Sequence, residues 1–291
     1  MVPQIKNGIL NIDKPQGITS HDVVDIVRKI FPGIKVGHTG TLDPIATGVL
    51  PICIGKATKL SDELLSENKV YKVKMLLGVE TDTYDIAGKI VFANTLNEDE
   101  IYIKERIKRF IGKSSQIPPI YSAIKIKGKK AYEYARNGEN VSLKPREIEI
   151  FNIDDIDVNL RKRQVSFVVS CTKGTYIRSL VHDIGIKLGC GATMIELKRL
   201  KTGDFDINDS IDLYEFLNLE YLDMLDKIVS IEELYKDSKK INLKDKDYDK
   251  FLNGIAIKTD VPNGIVRVYE NLRYKGLGKV NDNLLKRFII E

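Results

Sequence analysis

The sequence predicts a main domain that mixes strands and helices, of the α/β or α+β class, followed by a small β-rich module. Three observations carry this expectation. Residues 70–77 (VYKVKMLL) and Gln164–Cys171 alternate apolar and polar positions with the period of a half-buried strand. Residues 21–30 and Ile177–Leu188 instead space their apolar side chains as one helix face. From residue 235 to 250 the composition turns abruptly charged (YKDSKKINLKDKDYDK), and three short strand-like runs follow.

Taken in order, residues 8–15 (GILNIDKP) read as a short apolar strand stopped by a proline turn. Ser20 is the expected N-cap of the first helix. Asp22 suits the positive end of its dipole, and Val23, Val24, Val27 and Ile30 form its stripe before Pro32 and Gly33. In the strand at 70–77, Tyr71, Val73, Met75 and Leu77 share one face and Lys72 and Lys74 the other, so Tyr71 points to the apolar side. Residues 98–112 predict a helix, and Pro118 and Pro119 force extended backbone after it. Gly174 is expected to end the strand at 164–171. The next helix carries Ile177, Leu180, Val181, Ile184 and Leu188 and closes at Gly189. Residues 211–234 are helix-rich, which places a domain boundary near 238 and gives two domains, 1–237 and 238–291. In the second, strands are expected at 264–269, 274–280 and Leu284–Ile290, with turns at Asn271, Gly276, Gly278 and Asn281. So small a module has too little core to stand alone and should pack on the larger domain.

With 291 residues, 43% of them hydrophobic, the chain can bury one large core or two unequal ones. No run of about 18 apolar residues marks a membrane span, and residues 1–12 lack a secretory pattern, so a soluble, cytoplasmic protein is expected. Cys53, Cys171 and Cys190 are odd in number and contain no Cys-x-x-Cys pair, which points to buried small side chains rather than disulfides or zinc. The net charge of +5 is mild, but Lys125, Lys127, Lys129, Lys130, Arg136, Lys144 and Arg146 concentrate cations in one segment. That cluster is either a polyanion footprint or a solvated loop. No protein partner is signalled, and a monomer is expected.

The stretch 37–50, GHTGTLDPIATGVL, sets one carboxylate among glycines and small apolar residues. Gly37, Gly40 and Gly48 allow unusual backbone angles, and Pro44 pushes Asp43 toward extended geometry, so the loop is stiff. Asp43 could be a turn residue, a metal ligand or a nucleophile. The metal reading fails for want of ligands: His21, His38 and His182 form no paired motif, and no acidic cluster surrounds Asp43. A phosphate loop also fails, since six residues separate Gly48 from Gly55 and Ala57 follows Lys56 where Ser or Thr is needed.

Arg178 is the telling partner. If Thr175 caps the helix, Arg178 stands in the first turn, where the dipole disfavours a cation, so an anion should hold it there. Asp43 and a nucleic-acid phosphate are the two candidates. Tyr71 and Tyr176 read either as core aromatics or as stacking platforms, His21 and His182 as structural, and His38 as a polar member of the stiff loop.

Together these segments resemble the bacterial tRNA pseudouridine synthase B (TruB) family. The likeness runs through 8–17 (GILNIDKPQG), the 37–50 loop, 55–59 (GKATK), 69–71 (KVY), 77–78, 81–83 (TDT) and 116–125 (QIPPIYSAIK). It continues at Tyr132, Ala135 and Arg136, at 173–178 (KGTYIR), 188–192 (LGCGA), 197–200 (LKRL) and 203–205 (GDF). The resemblance implies an α+β pseudouridine synthase fold, with a mixed, largely antiparallel sheet flanked by helices and a PUA-like C-terminal domain. It implies isomerisation of the T-loop uridine of tRNA without cofactor or metal. Asp43 matches the catalytic aspartate, Tyr71 the tyrosine that stacks on the target uracil and is proposed to take part in proton transfer, and Arg178 the arginine that pairs with the aspartate. Leu197 matches an apolar residue of the base pocket, His38 the histidine that supports the flipped-out conformation, and Lys14 a lysine beside the loop. His38, Lys14, Tyr176, Leu197, Lys125 and Arg136 are the RNA contacts that the resemblance implies, the last two on an insertion, 122–145, that folds over the RNA. A tRNA-binding folding factor acting without required catalysis, and an RNA glycosylase, are the alternatives.

Overall fold

The structure, a computed structural model, describes residues 5–65, 67–95, 99–122, 124–126, 128–139 and 141–291, without the side chains of residues 136 and 245. β1 (Gly8–Lys14) is followed by α1 (Ser20–Ile30) and β2 (Thr47–Ile54), which returns antiparallel to β1 with Gly8 opposite Ile54. β3 (Lys69–Leu77), α2 (Glu100–Lys108), β4 (Gly112–Gln116), β5 (Arg146–Asn159) and β6 (Gln164–Cys171) come next. α3 (Ile177–Leu188) and β7 (Ala192–Thr202) complete the frame. Among the described residues these strands lie in an eleven-stranded sheet whose spine runs β1-β2-β7-β3-β6-β5-β4. Its long pairings are antiparallel, while β7 meets β2 in parallel through Lys198–Thr47 and Arg199–Gly48. The mixed, largely antiparallel α+β sheet is therefore present.

Tyr71, Val73, Met75 and Leu77 of β3 are buried together with Val165, Phe167, Val169 and Cys171 of β6, against Leu180, Val181 and Ile184 of α3. Gly189 ends α3 at φ 73°, a left-handed cap that glycine adopts at little cost. β1 has no polar face because it lies between two cores. Leu10 and Ile12 join the main cluster, whereas Ile9 and Cys53 pack with Leu60, Ile231, Leu277 and Ile289. Residues beyond 238 build a second, five-stranded sheet, so that second cluster joins the C-terminal module to the main sheet. Among the described residues no helix is long and apolar enough to cross a membrane.

Several local expectations change. Thr19, not Ser20, caps α1, because its side chain accepts from Asp22 N while Asp22 reaches back to Thr19 N. Ser20 is freed to bind the Asp43 loop. α2 is shorter than 98–112, since Asp99 caps it by accepting from Tyr102 N and Gly112, at φ 113°, begins β4. The strand at 164–171 ends at Cys171, ahead of Gly174. Gly276 and Gly278 are not turn residues. Both lie inside the strand Arg273–Asn281, where a Cβ on Gly276 would stand 2.1 Å from the Ile289 carbonyl and one on Gly278 2.4 Å from Leu285 Cδ1. The first hairpin turns at Asn271, as expected, together with Leu272; Asn281 ends the strand, and the second hairpin turns at Asp282–Asn283, all four turn residues having positive φ.

Candidate active site

The Asp43 loop is fastened at each step by backbone. Thr39 N donates to Pro51 O at 3.2 Å, Gly17 N to Pro44 O at 2.8 Å, and Ala46 N to Asp43 O at 3.0 Å. Ser20 Oγ accepts from Leu42 N at 2.8 Å and donates to Leu42 O at 3.1 Å. Leu42 and Ala46 are buried on either side, yet the Asp43 side chain keeps 36% of its surface, so the loop presents one carboxylate outward.

Arg178 meets that carboxylate, Nε to Oδ2 at 2.9 Å. The remainder of its guanidinium is also occupied: Nη1 donates to Thr83 O at 3.2 Å and lies 3.6 Å from Asp85 Oδ2, and Nη2 donates to Tyr121 O at 2.9 Å. Four points of attachment leave a planar group little freedom. α3 begins at Ile177 with Tyr176 as N-cap, so Arg178 is the second helical residue and Thr175 is not the cap. Gln116 does the capping side chain's work from β4, accepting from Tyr176 N at 2.8 Å and donating to Tyr176 O at 3.1 Å. Ser179 Oγ donates to Ile117 O at 2.8 Å and ties the proline segment to the same helix.

Asp43 and Arg178 open into a cleft of about 700 Å³ that Tyr71, Tyr176, Leu197 and Arg199 also line. Tyr71 is 8% exposed, and burial pushes its phenol pKa up while the Arg199 guanidinium opposes the shift. Burial also raises Tyr176. Lys69 lines the cleft with its ammonium donating to the carbonyls of Leu65 and Glu67, and burial pulls its pKa down to about 8.

Other expected residues fall outside the cleft. His38 is half-buried behind the loop, where Nδ1 accepts from Gly40 N at 3.2 Å; burial, then Arg199, lowers its pKa, so the ring is a neutral acceptor. Lys14 is fully buried, with Nζ donating to Pro15 O at 2.9 Å and Ile18 O at 2.8 Å, and burial brings its pKa to about 8. The structure therefore makes Lys14 a tie for the 15–18 turn rather than an RNA-facing cation, since a side chain with no exposed surface cannot reach a phosphate. Lys125 is exposed on a short hairpin and does not line the cleft, and the Arg136 side chain lies outside the described residues. Among the described residues no group of three or more His, Cys, Asp or Glu is placed to hold a metal.

Models of known families match the chain along most of its length. Residues 28–177 match the N-terminal domain of TruB family pseudouridylate synthases, 178–235 the C-terminal domain of tRNA pseudouridylate synthase B, and 240–286 a C-terminal pseudouridine synthase II TruB model. The chain belongs to the TruB family. It is an isomerase of the pseudouridine synthase class. The tRNA pseudouridine synthase B of Clostridium kluyveri is 44% identical over 97% of this chain and all of its own length, and that of Aquifex aeolicus 40% over 98% and all of its length. Among solved structures, an H/ACA RNP bound to a substrate RNA containing 2'-deoxyuridine holds a chain with a TM-score of 0.68, 28% identical, covering 95% of this chain and 78% of that one. A Cbf5-Nop10-Gar1 complex matches equally, at 0.68 and 29%, over 94% and 78%. The structure brings Asp43, Arg178, Tyr71, Tyr176 and Leu197 together in one cleft. Sequence reasoning gave no role to Asp85, Gln116 or Arg199. Arg199 had a signal, because it follows Leu197 by two on a strand and so shares its inward face.

Proposed function

We propose that this chain converts the T-loop uridine of tRNA, conventionally numbered 55, to pseudouridine, with Asp43 as the essential carboxylate. The observation that carries the reading is the 2.9 Å pair between Arg178 Nε and a partly exposed Asp43 on a backbone-locked loop. A guanidinium so held keeps the carboxylate ionised and aimed. The reaction breaks the N1–C1′ bond and joins C5 to the same C1′, so no group is added and no electron is supplied from outside. Asp43 serves as nucleophile or base at the ribose or the uracil ring. Tyr71 and Leu197 form the base pocket, and Tyr71 moves a proton when the C5–H bond is lost. Water must stay out while the sugar is detached, which suits a pocket floored by side chains less than a tenth exposed.

Extruding the uridine from its stack costs a few kcal/mol, which stacking on Tyr71 and Tyr176 offsets. The 122–145 segment and the module from about 238 are assigned to grip the T-arm. The test is an unmodified T-arm minihelix incubated with the wild-type chain and mapped for pseudouridine. Product of unchanged mass supports isomerisation, loss of uracil supports a glycosylase, and tight binding without product supports a folding factor.

A further inference from the structure

Arg199 on β7 is 1% exposed and is among the largest fully buried side chains of the protein. Among the described residues it has no carboxylate partner at ion-pair distance. A buried guanidinium costs much to desolvate unless its donors are used, and the use made of these donors is specific. Nε donates to Val49 O at 2.7 Å and Nη2 to Gly40 O at 3.2 Å. Gly40 and Val49 stand on opposite sides of Asp43 in the chain, so one planar group fixes the loop at both ends. Gly48 allows the approach: at φ 103°, a Cβ there would lie 2.2 Å from the Arg199 carbonyl. On its other side Arg199 is the register partner of Tyr71 across the β7–β3 pairing, and both line the cleft.

We propose that Arg199 is a positioning residue for the isomerisation, coupling the loop that aims Asp43 to the tyrosine that meets the base. The proposal rests on reading this cleft as the pseudouridine-forming site and adds a residue to it. The phenol pKa fits, being raised by burial and drawn back by this guanidinium, which eases negative charge on the Tyr71 oxygen while a proton moves. With 1% of its surface exposed, Arg199 offers an RNA almost nothing to touch, so its removal should leave affinity nearly unchanged and slow the chemistry.

The experiment compares wild type, Arg199→Met, Arg199→Lys, Tyr71→Phe and Arg199→Met/Tyr71→Phe on a T-arm minihelix, by single-turnover rate across pH and by Kd. Arg199→Met is expected to slow turnover about 100-fold while Kd changes by less than roughly threefold. Arg199→Lys, which keeps one charged donor, should recover about tenfold of that loss. In the Tyr71→Phe background the same Met change should cost less than about tenfold, because the two residues share one contact. The proposal is overturned if Arg199→Met turns over normally, if its rate falls only in step with affinity, or if its cost is undiminished beside Tyr71→Phe. Should Arg199→Met fail to fold, Arg199→Lys decides: a wild-type rate and pH profile overturn the proposal, and a slowed rate at unchanged Kd supports it. Absence of pseudouridine from the wild-type chain would overturn the functional reading itself, and this proposal with it.

Discussion

Two buried guanidiniums stand on opposite sides of the cleft and are satisfied in different ways. Arg178, on the helix side, spends its Nε on a carboxylate that is one-third exposed and braces its other nitrogens on Thr83, Tyr121 and Asp85. Arg199, on the sheet side, spends its donors on the carbonyls of Val49 and Gly40. On the proposed function, the first orients the reactive carboxylate and the second shapes the loop that carries it. A buried charge paired to a partly exposed opposite charge marks chemistry, whereas one spent on carbonyls marks architecture next to chemistry.

Breaking the helix side should have the largest effect. Arg178→Ala is expected to lower the single-turnover rate about 1000-fold with a much smaller change in tRNA affinity. Equal losses in rate and affinity would instead make Arg178 a phosphate contact. Breaking the sheet side through the backbone comes next. Gly48→Ala forces a left-handed φ on an L-residue and drives a methyl into the Arg199 backbone. It should cost about 3 kcal/mol or more in urea unfolding, and an unfolding midpoint like that of wild type would show that the β2–β7 approach is not tight. Asp85→Asn sharpens the contrast within the helix side. It removes the more distant carboxylate, 3.6 Å from Nη1, and should slow turnover roughly tenfold while Asp43 still holds Nε; rates indistinguishable from wild type would mean that Thr83 and Tyr121 suffice.

The smallest effect is a pH slope beneath the loop. Lys14 has a folded pKa of about 8 against an ordinary 10.5, so between these values the unfolded chain binds more protons than the folded one and stability rises with pH. Below pH 8 both states are charged and the folded state bears the full cost of burying the ammonium. Two carbonyl acceptors match the two N–H groups of a neutral amine, which fits a low pKa. Lys14→Met should flatten the slope of unfolding free energy by at most about 1.4 kcal/mol per pH unit in that window, and an unchanged slope would place its titration elsewhere.

The elements legible in the sequence are those whose hydrophobic period is unbroken. The span of β6 and the helix stripe to Gly189 are read to the residue, although Gly174 is not what stops β6, and β3 is read to within one. β2 hides because seven of its eight residues are buried and Pro51 interrupts it. β5 and β7 hide because bulges shift their phase, between Ile150 and Asn152 and again after Asp154 in one, and after Met194 and Arg199 in the other. The site divides along the same line. Asp43 stands out in its loop and Arg178 in a helical first turn that disfavours it, so each is visible locally. Asp85 and Gln116 gain their meaning only when β4 and the 79–88 segment reach α3, and no local pattern announces that meeting.

The pairing of Asp43 with Arg178 is the centre of the account, and Asp43→Asn tests it most directly. The variant keeps the volume of the side chain and removes the charge. Assayed on the T-arm minihelix, it should bind with a Kd close to that of wild type and yield no detectable pseudouridine. Formation of pseudouridine at a rate near that of wild type would contradict the account, because the cleft would then be running its reaction without the carboxylate around which it is built.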